Sequence, residues 1–195
     1  MITAVILSGG ESSRMGEPKA LLRVEKQTFI ERIIAALVQA RMREIIVVLG
    51  RHADEIGPAL RKLPVRVVVN EDYRKGQLSS LQAAIRSLHG DDCDGILVHL
   101  VDHPFVNPDL VEEMVKRFYD SKSLIVVPIC KGRRGHPVIF SRRLFSELLA
   151  APLEAGAKQV VHAHRAETLE IETSEPGVVI DIDTPADYKE YVKGD

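Results

Sequence analysis

The sequence is poor in thiols, in excess charge and in long apolar runs, and each shortage argues against a class of function. Cys93 and Cys130 are the whole thiol content. They lack the paired spacing of a sulfur-bound metal and are read as buried hydrophobes. The formal net charge is −2 with 28% charged residues, a balance that supports neither nucleic acid nor an anionic membrane as partner. Apolar stretches such as Ile45-Ile46-Val47-Val48-Leu49 are far too short for a bilayer. No basic region followed by a long apolar stretch opens the chain, so a cytoplasmic location is expected. Repeats, low-complexity tracts and a linker are missing as well. The 195 residues suit a single domain, 1–195, with an ample core.

What is present is an alternation of short β-type runs with helical patterns. Strands are expected at 2–7, 44–49, 65–69, 95–101, 124–129 and 136–140, with weaker ones at 168–172 and 179–182. Most are β-branched and apolar on both faces, as parallel strands covered on two sides should be. Between them Phe29, Ile30, Ile33, Ile34, Leu37 and Val38 recur at helical spacing. Leu81, Ala84, Ile85 and Leu88 do the same, as do Leu110, Met114, Val115 and Phe118. Asn107 before Pro108, and Thr184 before Pro185 with Asp187 three residues on, read as helix starts. This order predicts an α/β protein of three layers, α/β/α, around a mostly parallel open sheet. Ligands of such sheets sit beyond the carboxyl ends of the strands.

The chemistry-bearing motifs fall at those ends. The run from Ile2 to Leu7 empties into Ser8-Gly9-Gly10-Glu11-Ser12-Ser13-Arg14-Met15-Gly16-Glu17-Pro18-Lys19. Glycines let the backbone approach an anion, and successive N–H groups can converge on phosphate oxygens. Arg14 and Lys19 supply countercharge. Neither common phosphate loop fits. Gly10 and Gly16 are separated by five residues and Lys19 follows Pro18, which breaks the Walker A pattern. G-x-G-x-x-G is absent, which sets aside a dinucleotide dehydrogenase.

The loop instead reads G-G-x-S-x-R-M-G-x-P-K. It resembles the signature of nucleotidyltransferases with a glycosyltransferase-A-like, Rossmann-related fold. Within them it is most similar to the molybdenum cofactor cytidylyltransferase group, relatives of the molybdopterin guanylyltransferases. The resemblance implies that Leu7, Ser8, Gly9, Gly10, Ser12, Arg14 and Lys19 bind the nucleotide, with Arg14 and Lys19 stabilising charge as pyrophosphate leaves. Val101-Asp102-His103-Pro104 is similar to the family's D-x-P segment. Pro104 keeps Asp102 at a strand end, and nucleotidyl transfer needs Mg²⁺ on one or two carboxylates. By resemblance Asp102 is a metal ligand and, with Arg14 and Lys19, catalytic. Asp181-Ile182-Asp183-Thr184-Pro185 resembles the C-terminal D-I-D-T-P segment. That makes Asp183 the second metal ligand, Asp181 an outer-shell residue and Asp187 a helix cap.

Gly76-Gln77-Leu78-Ser79-Ser80 is expected to open a helix at Ser79 or Ser80. It resembles the loop that meets the nucleobase, here through Gly76, Leu78 and Ser79, with the Ser80 hydroxyl facing the acceptor side. Gly135-His136-Pro137-Val138 resembles the acceptor-lining segment, and His136 and His103 are taken as acceptor contacts. His162 and His164 are read as solvated. The five segments imply a Mg²⁺-dependent enzyme, with Mn²⁺ as substitute. It moves a nucleoside monophosphate, CMP favoured, from an NTP to the phosphate of molybdopterin and releases pyrophosphate. Base choice is divided. Gly9 matches the guanylyl form, where the cytidylyl group has alanine, while Gly76–Ser80 and Gly135–Val138 match the cytidylyl form. Guanylyl transfer is the first alternative and a sugar-1-phosphate or other small phosphorylated acceptor the second. A nucleotide-binding cofactor carrier without turnover is the rival of another class. A molybdenum hydroxylase apoenzyme or its chaperone is the protein partner that goes with the cofactor reading.

Overall fold

Strand β1 (Ile2–Ser8) is buried along its whole length, and its alternate side chains feed two different cores. This is seen in a computed structural model that describes residues 1–10, 15–88 and 92–193. In chain order there follow the hairpin strands β2 (Arg23–Val24) and β3 (Gln27–Thr28), α1 (Phe29–Gln39), β4 (Ile45–Leu49), α2 (Ala53–Leu60) and β5 (Arg66–Val69). Then come α3 (Gln77–Ser87), β6 (Gly95–Leu100), α4 (Pro108–Asp120), β7 (Ile125–Cys130), β8 (Arg133–Arg134) and β9 (Val138–Ser141). The chain finishes with α5 (Phe145–Ala150), α6 (Lys158–Ala163), β10 (Thr168–Glu172) and α7 (Pro185–Tyr188).

The sheet order is β10-β7-β9-β6-β1-β4-β5, with β8 paired to β7. Neighbours are parallel except around β9, which runs against both β6 and β7, and at β8, which runs against β7. Ile2, Ala4 and Ile6 of β1 pack with Ile33, Leu37, Ile56, Val111 and Met114 from α1, α2 and α4. Val5 and Leu7 point the other way, to Leu81, Ile85, Leu148 and Val160 from α3, α5 and α6. Period 2 in the strand and period 3.6 in the helices therefore give the three layers. Each fully buried Ile or Leu contributes roughly 1.5–3 kcal/mol. α1 starts on a capping box, in which Thr28 Oγ1 accepts from the Glu31 N–H and Glu31 accepts from the Thr28 N–H. Among the described residues no helix is long and apolar enough to cross a membrane.

Four local expectations are corrected. Residues 179–182 form no strand. A 3₁₀ turn at Pro176–Val179 leads into an extended segment without a ladder. Ile182 leaves the sheet to pack with Leu22, Val24 and Phe29 in a small third core. The strand expected at 136–140 begins at Val138, since Pro137 has no N–H for a ladder. The helix expected at Ser79 or Ser80 begins at Gln77. Gly76, at φ +95°, turns the chain there, a conformation that favours glycine. His164 also differs from expectation: its Nδ1 lies 2.7 Å from Glu167 and its Nε2 2.7 Å from Glu147. His162 is exposed, as read.

The chain leaves β1 for β4 and β5 on one side, then returns to β6 on the other. That reversal opens a crevice at the carboxyl ends of β1 and β6.

Candidate active site

The crevice is a cleft of about 310 Å³, lined by Leu7, Ser8, Gly9 and Gly10 at the end of β1, by Lys19, by Gly76 and Ser80 at α3, and by Asp102 and Asp183. It thus gathers nucleotide and metal candidates from four segments far apart in the sequence. Ser12 and Arg14 lie outside the described residues.

Lys19 stands in a 3₁₀ turn, Lys19–Leu21. Its Nζ is 2.5 Å from Asp183 Oδ1 and 3.5 Å from Asp102 Oδ2. The two carboxylates are drawn together by the backbone too, because the Ile182 N–H donates to the Asp102 carbonyl at 2.8 Å. Asp187 accepts from the Asp183 and Thr184 N–H groups. It therefore caps α7 as expected and fixes the backbone under Asp183. Asp181 is exposed. Burial pushes the Asp102 carboxyl above its usual range; the Lys19 ammonium opposes this, and the Asp183 charge adds to the rise. Asp102 Oδ1 is buried and makes no hydrogen bond among the described residues.

These residues fit a hard divalent cation. A Mg²⁺-type ion takes one or two carboxylates and completes its shell with water and phosphate oxygens. Asp102 and Asp183 offer two, and Oδ1 of Asp102 has a lone pair to give. A zinc-type cage does not fit, since among the described residues no three His, Cys, Asp or Glu side chains are placed to hold one metal ion.

On the α3 side, buried Asn70 accepts from the Asp72 N–H at 3.0 Å and donates to Ser79 Oγ and Ser80 Oγ at 2.9 and 3.0 Å. The Ser79 hydroxyl turns inward, to the Gly76 and Asp72 carbonyls. Leu78 is buried in the α3 core and Ser80 alone of the two serines lines the cleft. Gly9 packs so closely that a Cβ there would stand 2.7 Å from Ser80 Oγ. Sequence reasoning missed Asn70, although an Asn ending a strand before Glu-Asp is an Asx-turn signal. It also missed His52 and Tyr73, which line the cleft; His52 Nδ1 is held 2.7 Å from Glu55, and no spacing marks either residue.

His103 and His136 do not line the cleft. With His99 they form a cluster, edge-on for His99 and His103 with ring centroids 6.3 Å apart and tilted for His103 and His136 at 5.0 Å. His99 Nε2 meets the His103 carbonyl at 2.8 Å. Burial pushes the His99 and His103 imidazoles down to about 3, and lowers His136 against a hydrogen bond to the Val98 backbone. The His136 N–H donates to the Val178 carbonyl. The cluster, through the His136 backbone, therefore ties the turn at Asp102 to the segment leading to Asp183.

Comparison with known proteins agrees with this geometry. The family model of the MobA-like NTP transferase domain matches residues 4–168. The molybdenum cofactor cytidylyltransferase of Escherichia coli K12 is 28% identical over 188 residues, 96% of this chain and 93% of that one. A probable molybdenum cofactor guanylyltransferase of Thermococcus sibiricus is 29% identical and aligns over 83% of this chain and 80% of its own. The crystal structure of Rv0371c from Mycobacterium tuberculosis H37Rv superposes with a TM-score of 0.85 at 30% identity, covering 98% of this chain and 97% of that one. Its manganese complex gives 0.81 at 28% identity, covering 100% and 99%. The chain belongs to the MobA-like NTP transferase family and is a nucleotidyltransferase.

Proposed function

We propose that the chain transfers a nucleoside monophosphate, CMP by preference, from an NTP to the phosphate of molybdopterin, with release of pyrophosphate. All 195 residues act as one domain, in the cytoplasm. The observation that carries the reading is the Lys19 ammonium held between Asp102 and Asp183 at the switch point of the sheet, beside a glycine loop. A protein that only bound nucleotide would need no such carboxylate pair.

Asp102 and Asp183 would hold Mg²⁺, for which Mn²⁺ substitutes. When bound, the ion offsets charge on phosphate oxygens and favours departure of pyrophosphate. The chain's own part is positioning and charge stabilisation. The N–H groups around Gly9 and Gly10 approach the triphosphate. Lys19 leaves the carboxylates for the phosphates, and Arg14 supplies a second cation. The acceptor phosphate is a monoester, already anionic near neutral pH, so it attacks the α-phosphorus in line without a general base. Gly76 and the backbone at Leu78 and Ser79 face the base, and Ser80 stands where base and acceptor meet. His103 and His136 support the acceptor side from behind Asp102.

The cytidylyl preference is supported by Gly76–Ser80, by Gly135–Val138 and by the similarity to the Escherichia coli cytidylyltransferase. Guanylyl transfer is the second reading, favoured by Gly9, and a molybdenum hydroxylase or its chaperone is the protein to which the product passes. Purified protein incubated with Mg²⁺, molybdenum-bearing molybdopterin and each NTP in turn should release pyrophosphate with CTP. Release with GTP alone would transfer the assignment to the guanylyl reaction. No release with any of the NTPs would overturn the molybdopterin reading.

A further inference from the structure

Asn70 continues the edge of the sheet after β5, its N–H donating to the Leu49 carbonyl at 2.8 Å, and its side chain is buried beneath α3. Its hydrogen bonds determine the direction of others. Because Oδ1 accepts the Asp72 N–H, the other end of the amide facing α3 must be Nδ2, which only donates. Both of its hydrogens are used, one on Ser79 Oγ and one on Ser80 Oγ. Ser79 spends its own proton on the Gly76 or Asp72 carbonyl. Ser80 has no such outlet: among the described residues its hydroxyl makes no bond besides the one received from Asn70. A hydroxyl that accepts on its buried side has its proton left for the open side. For Ser80 the open side is the cleft.

We propose that Asn70 is a positioning residue that makes Ser80 a hydrogen-bond donor into the cleft, so that the ligand atom meeting it is an acceptor on the nucleobase. This rests on the nucleotide reading of the cleft. The base is favoured over the triphosphate because Ser80 lines the cleft from α3, together with Gly76 and Gln77 of the segment read as facing the base. Lys19, the cation among the described cleft residues, is engaged with the carboxylates. A donor here suits cytosine N3 or O2, or guanine O6 or N7, and disfavours the N3–H of uracil.

Asn70→Asp reverses the polarity while nearly preserving the shape. A carboxylate still accepts from the Asp72 N–H, but Ser80 must then turn its proton inward and show a lone pair to the cleft. Dissociation constants for CTP, UTP, GTP and inorganic tripolyphosphate are to be measured by calorimetry, with Mg²⁺, on wild type, Asn70→Asp, Ser80→Ala and the double variant. The preferred NTP should weaken about tenfold in either single variant, as for one lost hydrogen bond, with little further loss in the double. Tripolyphosphate should keep its affinity in all four proteins, and Asn70→Asp should narrow any preference for CTP over UTP. A purely structural Asn70 would weaken tripolyphosphate by the same factor as the NTPs, and that result overturns the proposal. If Asn70→Asp does not fold, Ser80→Ala carries the test, and unchanged NTP affinities in it overturn the proposal. Wild type that binds no NTP would overturn the nucleotidyltransferase reading along with it, whereas NTP binding indifferent to Ser80 overturns the Asn70 role alone.

Discussion

Replacing Gly9 with alanine isolates one steric contact. Gly9 does not have a positive φ, so its backbone accepts an alanine without strain and only the space around the new methyl decides the outcome. That methyl would stand 2.7 Å from Ser80 Oγ, but 3.8 Å from Ser80 Cβ and 3.9 Å from Tyr73 Cβ. Two routes relieve the overlap. Shifting packed neighbours costs about 1–3 kcal/mol. Rotating the Ser80 hydroxyl away costs about 1 kcal/mol, the worth of its bond from Asn70. The cheaper route wins, so Gly9→Ala should lose about 1 kcal/mol, a fall in Tm of about 2–4 °C for a chain of this size. Removing the oxygen first should remove most of the cost. In a Ser80→Ala background the same methyl meets only ordinary contacts, and Gly9→Ala should cost less than about 0.5 kcal/mol. Thermal and urea denaturation of the four proteins closes the cycle. Additivity within about 0.5 kcal/mol would refute the contact as the source of the effect.

Acid should destabilise the protein through its buried imidazoles. With folded-state pKa values near 3 for His99 and His103 against about 6.5 unfolded, the unfolded chain binds more protons as pH falls below 6.5. By pH 5 each should cost on the order of 2 kcal/mol. His99→Gln should shrink the loss of stability between pH 7 and 5, and parallel pH profiles would refute the assignment. Lys19→Ala leaves the paired carboxylates without their ammonium, so nucleotide-free Mn²⁺ binding, followed by electron paramagnetic resonance, should tighten while turnover falls about 100-fold or more. Weaker Mn²⁺ binding would mean that Lys19 does not compete for the carboxylates. At Gly135 a methyl would overlap the Val178 carbonyl oxygen at 2.2 Å. No side chain can rotate to relieve that, so Gly135→Ala should cost more in a thermal melt than Gly9→Ala and should loosen Mn²⁺ by displacing the segment that leads to Asp183. A melt unchanged from wild type would count against the packing.

The sheet was legible because burial on both faces leaves a mark in the sequence. β4 and β7 are continuous apolar runs, β1 and β6 are interrupted only by Thr3 and Ser8 and by His99, and the ends of all four lie within a residue or so of the expected ones. The C-terminal segment misled because Ile180 and Ile182 alternate with Asp181 and Asp183 like a strand. Ile182 faces a satellite core with Leu22 and Phe29, and alternation alone cannot tell a ladder from an extended strap. Asp102 and Asp183 are found by motif, yet their closeness rests on Lys19 between them and on a backbone bond, Ile182 N–H to Asp102 O, that no local pattern announces. His103 and His136 were placed at the acceptor because of their neighbours in sequence. Their rings turn instead to each other and to His99, a choice made by packing across three segments.

The divided evidence on base choice has a physical source in the contact between Gly9 and Ser80. One residue carries the guanylyl-like cue and the other stands in the cytidylyl-like segment, so each read alone points to a different nucleotide. In the folded chain they are not independent. Glycine at position 9 leaves room for the Ser80 hydroxyl to stay under Asn70 with its proton toward the cleft. Alanine there would turn that hydroxyl away and release it from Asn70. If the base meets Ser80 as proposed, what it meets is set by Gly9, Asn70 and Ser80 acting together, with Asn70, which belongs to neither cue, fixing the direction of the hydrogen bond. Gly9→Ala should then change nucleotide preference as well as stability. In Ser80→Ala it should change neither, because the group through which position 9 acts is gone.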